Sequence, residues 1–207
     1  MSWKDKEIEQ PEPCFFAPLK NIIGIAGKKR SGKDTVGKIL IEKYGYEKLY
    51  FAEEVYNGVY TLNPIIDYSY NYDEYSSVKI TPIRLQEIID ECGWEYSKER
   101  YDEVRRLLQT FGTEAGRNIH GFDCWVNIVK NKIDPNKKYV ITDVRFDNEV
   151  EMIRKKYGCI LQVERDGLNN FDGHSSEQGV EYFDYKIKNN GTLEELEKEI
   201  EVFLSTV

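Results

Sequence analysis

The chain has 207 residues, of which 40% are hydrophobic and 32% charged, and its net charge is −8. That length suits one large domain, or one domain with an inserted cap, and the negative charge argues against gripping duplex nucleic acid through the general field. Cys14, Cys92, Cys124 and Cys159 are far apart with no C-x-x-C pair, and no signal pattern or long apolar span stands out, so zinc, disulfides and membrane attachment are all disfavoured and a cytoplasmic setting is expected.

Residues 1–20, with Pro11, Pro13 and Pro18, read as a flexible leader before a single domain over 21–207. The first strand is expected at 21–26, where Ile22, Ile23, Ile25 and Ala26 make a nearly continuous apolar run. It runs into Gly27-Lys28-Lys29-Arg30-Ser31-Gly32-Lys33, which fits the first seven positions of the phosphate-loop pattern G-x-x-x-x-G-K-[ST]. A helix over 33–44 follows, so its unpaired N–H groups and dipole would face bound phosphates, with Lys33 reaching the β/γ oxygens. Asp34 stands where Ser or Thr normally binds Mg²⁺, and Thr35 comes next, which leaves either or both as metal-site residues.

A second strand is expected at 48–52 and a short helix at 53–62. Residues 63–82 carry Pro64, Pro82 and Tyr68, Tyr70, Tyr72 and Tyr75 among polar residues, and read as an irregular insertion. Its tyrosines either stack on a base or pack the loop itself. Helices are expected over 83–92, 100–119 and 122–133. In the middle one, Arg105, Gln109, Thr113 and Arg117 recur at four-residue spacing opposite an apolar stripe of Val104, Leu107, Leu108, Phe111 and Ala115. Such a face is either solvated or suited to a phosphorylated, hydrogen-bonding ligand.

A buried strand over 139–143 ends in Asp143, with Arg145 two residues on. An acid there can hold Mg²⁺ or orient a reacting group, and an arginine can fork onto a phosphate. A helix over 147–157, a strand over 159–164 and a polar loop over 166–179 follow. That loop carries His174 and Glu177, with Arg165 just before it, and could close over phosphates as a lid. A short strand at 184–188, a turn at 189–191 and a helix over 192–204 complete the chain, with Thr192 and Glu195 at capping-box spacing. Alternation of five strands with helices predicts a three-layer α/β/α fold with a mostly parallel sheet, and ligands at the carboxyl ends of the strands.

Gly-Lys-Lys-Arg-Ser-Gly-Lys-Asp-Thr (27–35), Leu-Gln-Thr-Phe-Gly-Thr-Glu-Ala-Gly-Arg (108–117), Asp-Cys-Trp (123–125), Thr-Asp-Val-Arg-Phe-Asp-Asn-Glu (142–149) and His-Ser-Ser-Glu (174–177) together resemble phage-type deoxynucleoside monophosphate kinases, in the same order. The resemblance implies a P-loop kinase core with a helical substrate-binding region near 53–135 and a lid near 166–179. It implies transfer of the γ-phosphoryl group of ATP, with Mg²⁺, to a deoxynucleoside 5′-monophosphate in a phage-infected host cytoplasm. Residues 27–35 would hold ATP and the metal, and Asn190 would lie in the turn beside the adenine. Arg105, Gln109, Thr113, Arg117 and Trp125 would line the acceptor side, and Asp143 and Arg145 would sit between the two phosphates. Small nucleotides are the expected partners, without nucleic acid or membrane, and a homodimer stays open. Phe51-Ala52-Glu53-Glu54 departs from the Phe-Ala-Asp-Pro common in that family. Rival readings are another small-molecule P-loop kinase, such as a dephospho-coenzyme A kinase, and a nucleotide-binding regulatory protein that transfers nothing.

Overall fold

The computed structural model describes residues 21–72, 77–168 and 180–207. The leader, Tyr75, His174 and Glu177 lie outside the described residues. Along the chain, β1 (Ile22–Ala26) leads to α1 (Lys33–Tyr44), β2 (Glu47–Leu49) and α2 (Glu53–Leu62). A hairpin of β3 (Ile65–Tyr72) and β4 (Val78–Arg84) precedes α3 (Leu85–Arg100) and α4 (Asp102–Gln109). A π-helical stretch, Thr110–Arg117, joins α4 to the single turn α5 (Asn118–His120), and α6 (Cys124–Lys132) follows. The rest is β5 (Tyr139–Ile141), α7 (Asp147–Lys155), β6 (Cys159–Glu164), β7 (Tyr185–Lys188) and α8 (Leu193–Thr206).

Five strands form one parallel sheet in the order β2-β5-β1-β6-β7, with Gly24 of the central strand opposite both Ile141 and Ile160. Alternation along the strands sends side chains to opposite faces. Ile23, Ile25, Val140, Leu161 and Val163 meet Val36 and Leu40 of α1 and Leu196, Ile200 and Phe203 of α8. Ile22, Ile141 and Ile160 meet Val126 and Val129 of α6 and Val150 and Ile153 of α7. Two buried sheet faces explain why the strands read as continuous apolar runs. The expected three-layer α/β/α architecture is therefore present. At its far end Thr192 Oγ1 accepts from the Glu195 N–H while Glu195 accepts from the Thr192 N–H, the reciprocal cap that starts α8.

A third apolar cluster, Val59, Ile66, Leu85, Ile88 and Val104, joins α2, the hairpin, α3 and α4. Among the described residues, no helix is long and apolar enough to cross a membrane.

Several local expectations change: the strand expected over 139–143 ends at Ile141, and the helix expected over 83–92 runs from Leu85 to Arg100. β2 stops at Leu49, because Phe51 and Ala52 turn their N–H groups to a side chain across the sheet edge. Within residues 63–82, Ile65–Tyr72 and Val78–Pro82 are regular: Tyr70 pairs with Ile80 and Tyr72 with Val78 in an antiparallel ribbon. Alternation of tyrosine with Asp67, Ser69 and Asn71 carries that strand signal, and Pro82 fits because a two-stranded ribbon has an open edge on each side. Tyr68, Tyr70 and Tyr72 are 48%, 63% and 75% exposed, so they do not pack a loop. The helix expected over 100–119 is α-helical only to Gln109 and widens beyond it.

The widening has a local cause. Trp125 of α6 donates its indole N–H to the Gly112 carbonyl at 2.8 Å and packs beside Phe111. Its ring lies so close to Gly116 that a Cβ there would come within 2.4 Å of it. An intruding donor of this kind opens a helical ladder, as in the π-bulges often found at functional sites. Gly116→Ala is expected to lose about 1–3 kcal/mol in urea denaturation through overpacking. Gly112→Ala, whose new Cβ would sit 3.4 Å from Val55, is expected to fall within about 1 kcal/mol of the parent.

Candidate active site

The loop between β1 and α1 is shaped by backbone angles that side chains resist. Gly27 has φ 142° and Gly32 φ 101°, and Arg30 between them is left-handed at φ 66°. Non-glycine residues held there cost of order 1–3 kcal/mol and cluster at ligand clamps. The Lys33 ammonium donates to the Gly27 carbonyl at 2.6 Å and the Lys28 carbonyl at 2.8 Å, and the Ser31 N–H donates to the Lys28 carbonyl. Ser31 is buried, and its Oγ has no hydrogen-bond partner among the described residues. A buried orphan hydroxyl in a loop ringed by Lys28, Lys29 and Arg30 suits an anionic ligand. Asp34 and Thr35 are exposed in the first turn of α1. A carboxylate and a hydroxyl there are hard oxygen donors of the kind Mg²⁺ takes, so the residues fit that ion.

β5 lies next to β1 and parallel to it, so Asp143 follows at the same carboxyl edge of the sheet. Its two carboxylate oxygens accept from the N–H groups of Phe51 at 3.1 Å and Ala52 at 3.0 Å. Burial drives the Asp143 pKa up, while those two donors and the Arg145 charge pull against it. The segment Phe51-Ala52-Glu53-Glu54 thus meets Asp143 through its main chain. Glu53 and Glu54 both hold Lys132 at 2.6 Å, which pins the start of α2 to the end of α6.

Glu149 is the residue the sequence reading did not single out. It is 2% exposed, and its Oε2 accepts from the Arg145 N–H at 2.7 Å and the Phe146 N–H at 3.1 Å. Its Oε1 faces an Arg117 Nη at 3.6 Å. Arg117 itself lies over the Phe146 ring at 4.2 Å and near the Phe122 ring at 5.6 Å, with its Nε buried and unpartnered among the described residues. Burial pushes the Glu149 pKa up to about 7, helped by the Asp143 charge and opposed by its two backbone donors and Arg117. The signal available in sequence was a glutamate three residues after an extended Phe, the spacing of a helix-starting acid.

The expected acceptor row divides. Arg117 joins the Asp143–Glu149 cluster. Arg105 instead donates its Nε to the Lys98 carbonyl at 2.7 Å. Gln109 and Thr113 are exposed, Gln109 at the end of α4 and Thr113 within the π-helical stretch, so the widening bends the four-residue row. Trp125 is built into the helix packing rather than standing free. Arg145 and Arg165 are exposed. Asn190 spends its amide on Asp166, donating to the carboxylate at 2.7 Å and accepting the Asp166 N–H at 2.8 Å.

The family profile described as deoxynucleotide monophosphate kinase matches residues 56–200. The chain belongs to that family. Two relatives extend the likeness, and the first covers so much of the chain that it includes the phosphate loop and the strand before it. The deoxynucleotide monophosphate kinase of Escherichia phage RB69 is 29% identical over 215 residues, which cover 99% of this chain and 83% of the relative. The deoxynucleotide monophosphate kinase of Enterobacteria phage T4 is 26% identical over 230 residues, covering 84% of this chain and 95% of the relative. Among solved structures, a shikimate kinase from Aquifex aeolicus aligns with 89% of this chain and 96% of its own at 16% identity and a TM-score of 0.45. The protein is a nucleotide kinase on a three-layer α/β/α core.

A titrating glutamate leaves a signature in this kinase. With its folded pKa near 7 against an ordinary 4.5, Glu149 binds a proton more readily folded than unfolded. Its contribution is then lost as pH rises from about 4.5 through 7, by about 3 kcal/mol at most. Thermal unfolding of Glu149→Gln should therefore gain on the parent between pH 5 and pH 8. A difference that is flat across that range would mean Glu149 does not titrate there.

Proposed function

We propose that this kinase transfers the γ-phosphoryl group of Mg²⁺-bound ATP to a deoxynucleoside 5′-monophosphate, giving ADP and the diphosphate. What supports the reading most is the shared sheet edge. Neighbouring parallel strands β1 and β5 end there in a phosphate-type loop and in an acid–arginine cluster, one suited to a donor triphosphate and one to an acceptor phosphate. Family membership supplies the substrate class.

The loop N–H groups of 27–33 and the start of α1 would hold the donor phosphates, and the Ser31 hydroxyl would gain a partner. The Lys33 ammonium, now on two loop carbonyls, would exchange them for β/γ oxygens. Asp34 and Thr35 would hold Mg²⁺, directly or through water, with Asp143 facing the same charge; the bound ion neutralises the β/γ phosphates. Arg117 and Arg145 would hold the acceptor phosphate in line with the γ-phosphorus. The acceptor oxygen is already anionic, so no base has to remove a proton, and catalysis rests on positioning and charge. Residues 53–135 would form the acceptor region, with Arg105, Gln109, Thr113 and Trp125 shaping it. Arg165 would mark the root of a lid carrying His174 and Glu177. The turn holding Asn190 would border the adenine through its main chain. Free nucleotides of a phage-infected cytoplasm would be its partners.

The test is ADP production from Mg-ATP with dAMP, dGMP, dCMP, dTMP, GMP, dephospho-coenzyme A or no acceptor. Stimulation by one or more deoxynucleotides is expected, and Lys33→Ala is expected to lower kcat about 10²- to 10³-fold. Stimulation by dephospho-coenzyme A alone would replace the acceptor, and a fully active Lys33→Ala would sink the proposed role of the loop.

A further inference from the structure

Asn189 is the last residue before the turn that follows β7, 158 positions from the phosphate loop it touches. β7 is an outer strand, joined to β1 through β6. The ladder between β6 and β7 continues one step past the strand, where the Asn189 N–H donates to the Glu164 carbonyl at 2.7 Å. From that anchored backbone, Asn189 Nδ2 donates to the Ser31 carbonyl at 2.9 Å. The seat is close: a Cβ on Gly32 would come within 2.1 Å of the same nitrogen. The next residue, Asn190, is tied to Asp166 by two bonds, and Thr192 caps α8 just beyond. The turn is therefore held on three sides before it reaches the loop.

The direction of the Ser31 carbonyl matters because of the peptide bond that it belongs to. All described peptide bonds are trans. In a planar trans peptide, the C=O of one residue and the N–H of the next point in opposite directions. Holding the Ser31 carbonyl toward Asn189 therefore turns the Gly32 N–H away from Asn189. Gly32 is the residue that opens α1, and at a helix start the first N–H groups are the ones left for an anion. Glycine reaches φ values on both sides of zero, so its φ of 101° here, and with it the peptide plane before it, has to be imposed from outside.

We propose that Asn189 is a positioning residue for the phosphate loop, fixing the Ser31–Gly32 peptide so that the Gly32 N–H serves the donor phosphates. It acts through the loop and touches no phosphate itself. This rests on the reading of the loop as the ATP site. It makes a side chain just past an outer strand a determinant of donor affinity, with no matching effect on the acceptor.

Two variants separate the hydrogen bond from the packing. Asn189→Ala removes both the donor and most of the side chain, whereas Asn189→Leu removes the donor and keeps the volume. Both are expected to raise the ATP KM, and the Kd of the non-hydrolysable analogue AMPPNP, by about 3- to 10-fold, the worth of one hydrogen bond. The acceptor KM should stay within about twofold and the melting temperature within a few degrees. A purely packing role predicts a loss in the alanine variant only. That result, or unchanged donor constants in both variants, would overturn the assignment. Parallel loss of donor and acceptor affinity with a large fall in melting temperature, or failure of both variants to fold, would overturn it as well. Should the parent protein bind AMPPNP but phosphorylate no acceptor, the kinase reading fails alone, and the AMPPNP affinities of the variants still decide the role of Asn189.

Discussion

Asp143 is held at the carboxyl edge of the sheet by two main-chain donors that belong to a different part of the chain. Phe51 and Ala52 sit just past β2 and lead into α2, and their N–H groups close on the carboxylate that follows β5. Burying a carboxylate is costly unless it is hydrogen-bonded, and two donors meet part of that cost while the raised pKa records what is left. This contact joins the parallel core to the helical region. The Phe51 side chain, buried beside Ile141 and Val144, holds the same segment against the sheet edge. The pair of bonds from Glu53 and Glu54 to Lys132 then secures the same start of α2 from its other side.

The electrostatic arrangement follows from a chain that is acidic overall and basic where anions would meet. Lys28, Lys29, Arg30 and Lys33 crowd one loop, and Arg117 and Arg145 stand near Asp143 and Glu149. Glu149 is unusual among those charges in being almost wholly buried. It holds the backbone of Arg145 and Phe146, and Phe146 in turn lies beneath Arg117. One buried carboxylate thus orders one arginine through the main chain and another through a ring and a charge. A guanidinium stacked on aromatic rings keeps its planar edge available for a forked contact. An anionic phosphate arriving near this cluster would add negative charge beside two acids whose pKa values are already raised. The arginines are what make such an approach favourable.

Outside the core, helix and hairpin obey different constraints. The π-helical turn after α4 depends on a single indole N–H taking the Gly112 carbonyl, and Gly116 leaves room for the ring that delivers it. The tyrosine ribbon is anchored at its base by Ile66 and Leu85 and leaves its aromatic side chains in water. One is a distortion enforced by close packing. The other is regular structure with little packing at all.

The sequence by itself determined the layered core and the phosphate loop, because both are local or periodic. Continuous apolar strands, amphipathic helices and a glycine loop at a strand end follow from nearest-neighbour sterics and hydrophobic burial. The helices α1 and α2 and the strand β6 are bounded where their side-chain patterns say they should be. Tertiary structure alone decided the rest. Where β2 ends depends on an acid 91 residues away, and the widening of the helix after α4 depends on a tryptophan in α6. The engagement of Asn190 with Asp166, and of Asn189 with Ser31, depends on which strands become neighbours. A hydrogen bond between distant residues leaves no periodic trace in either segment. Only the folded backbone brings its two ends to the same place.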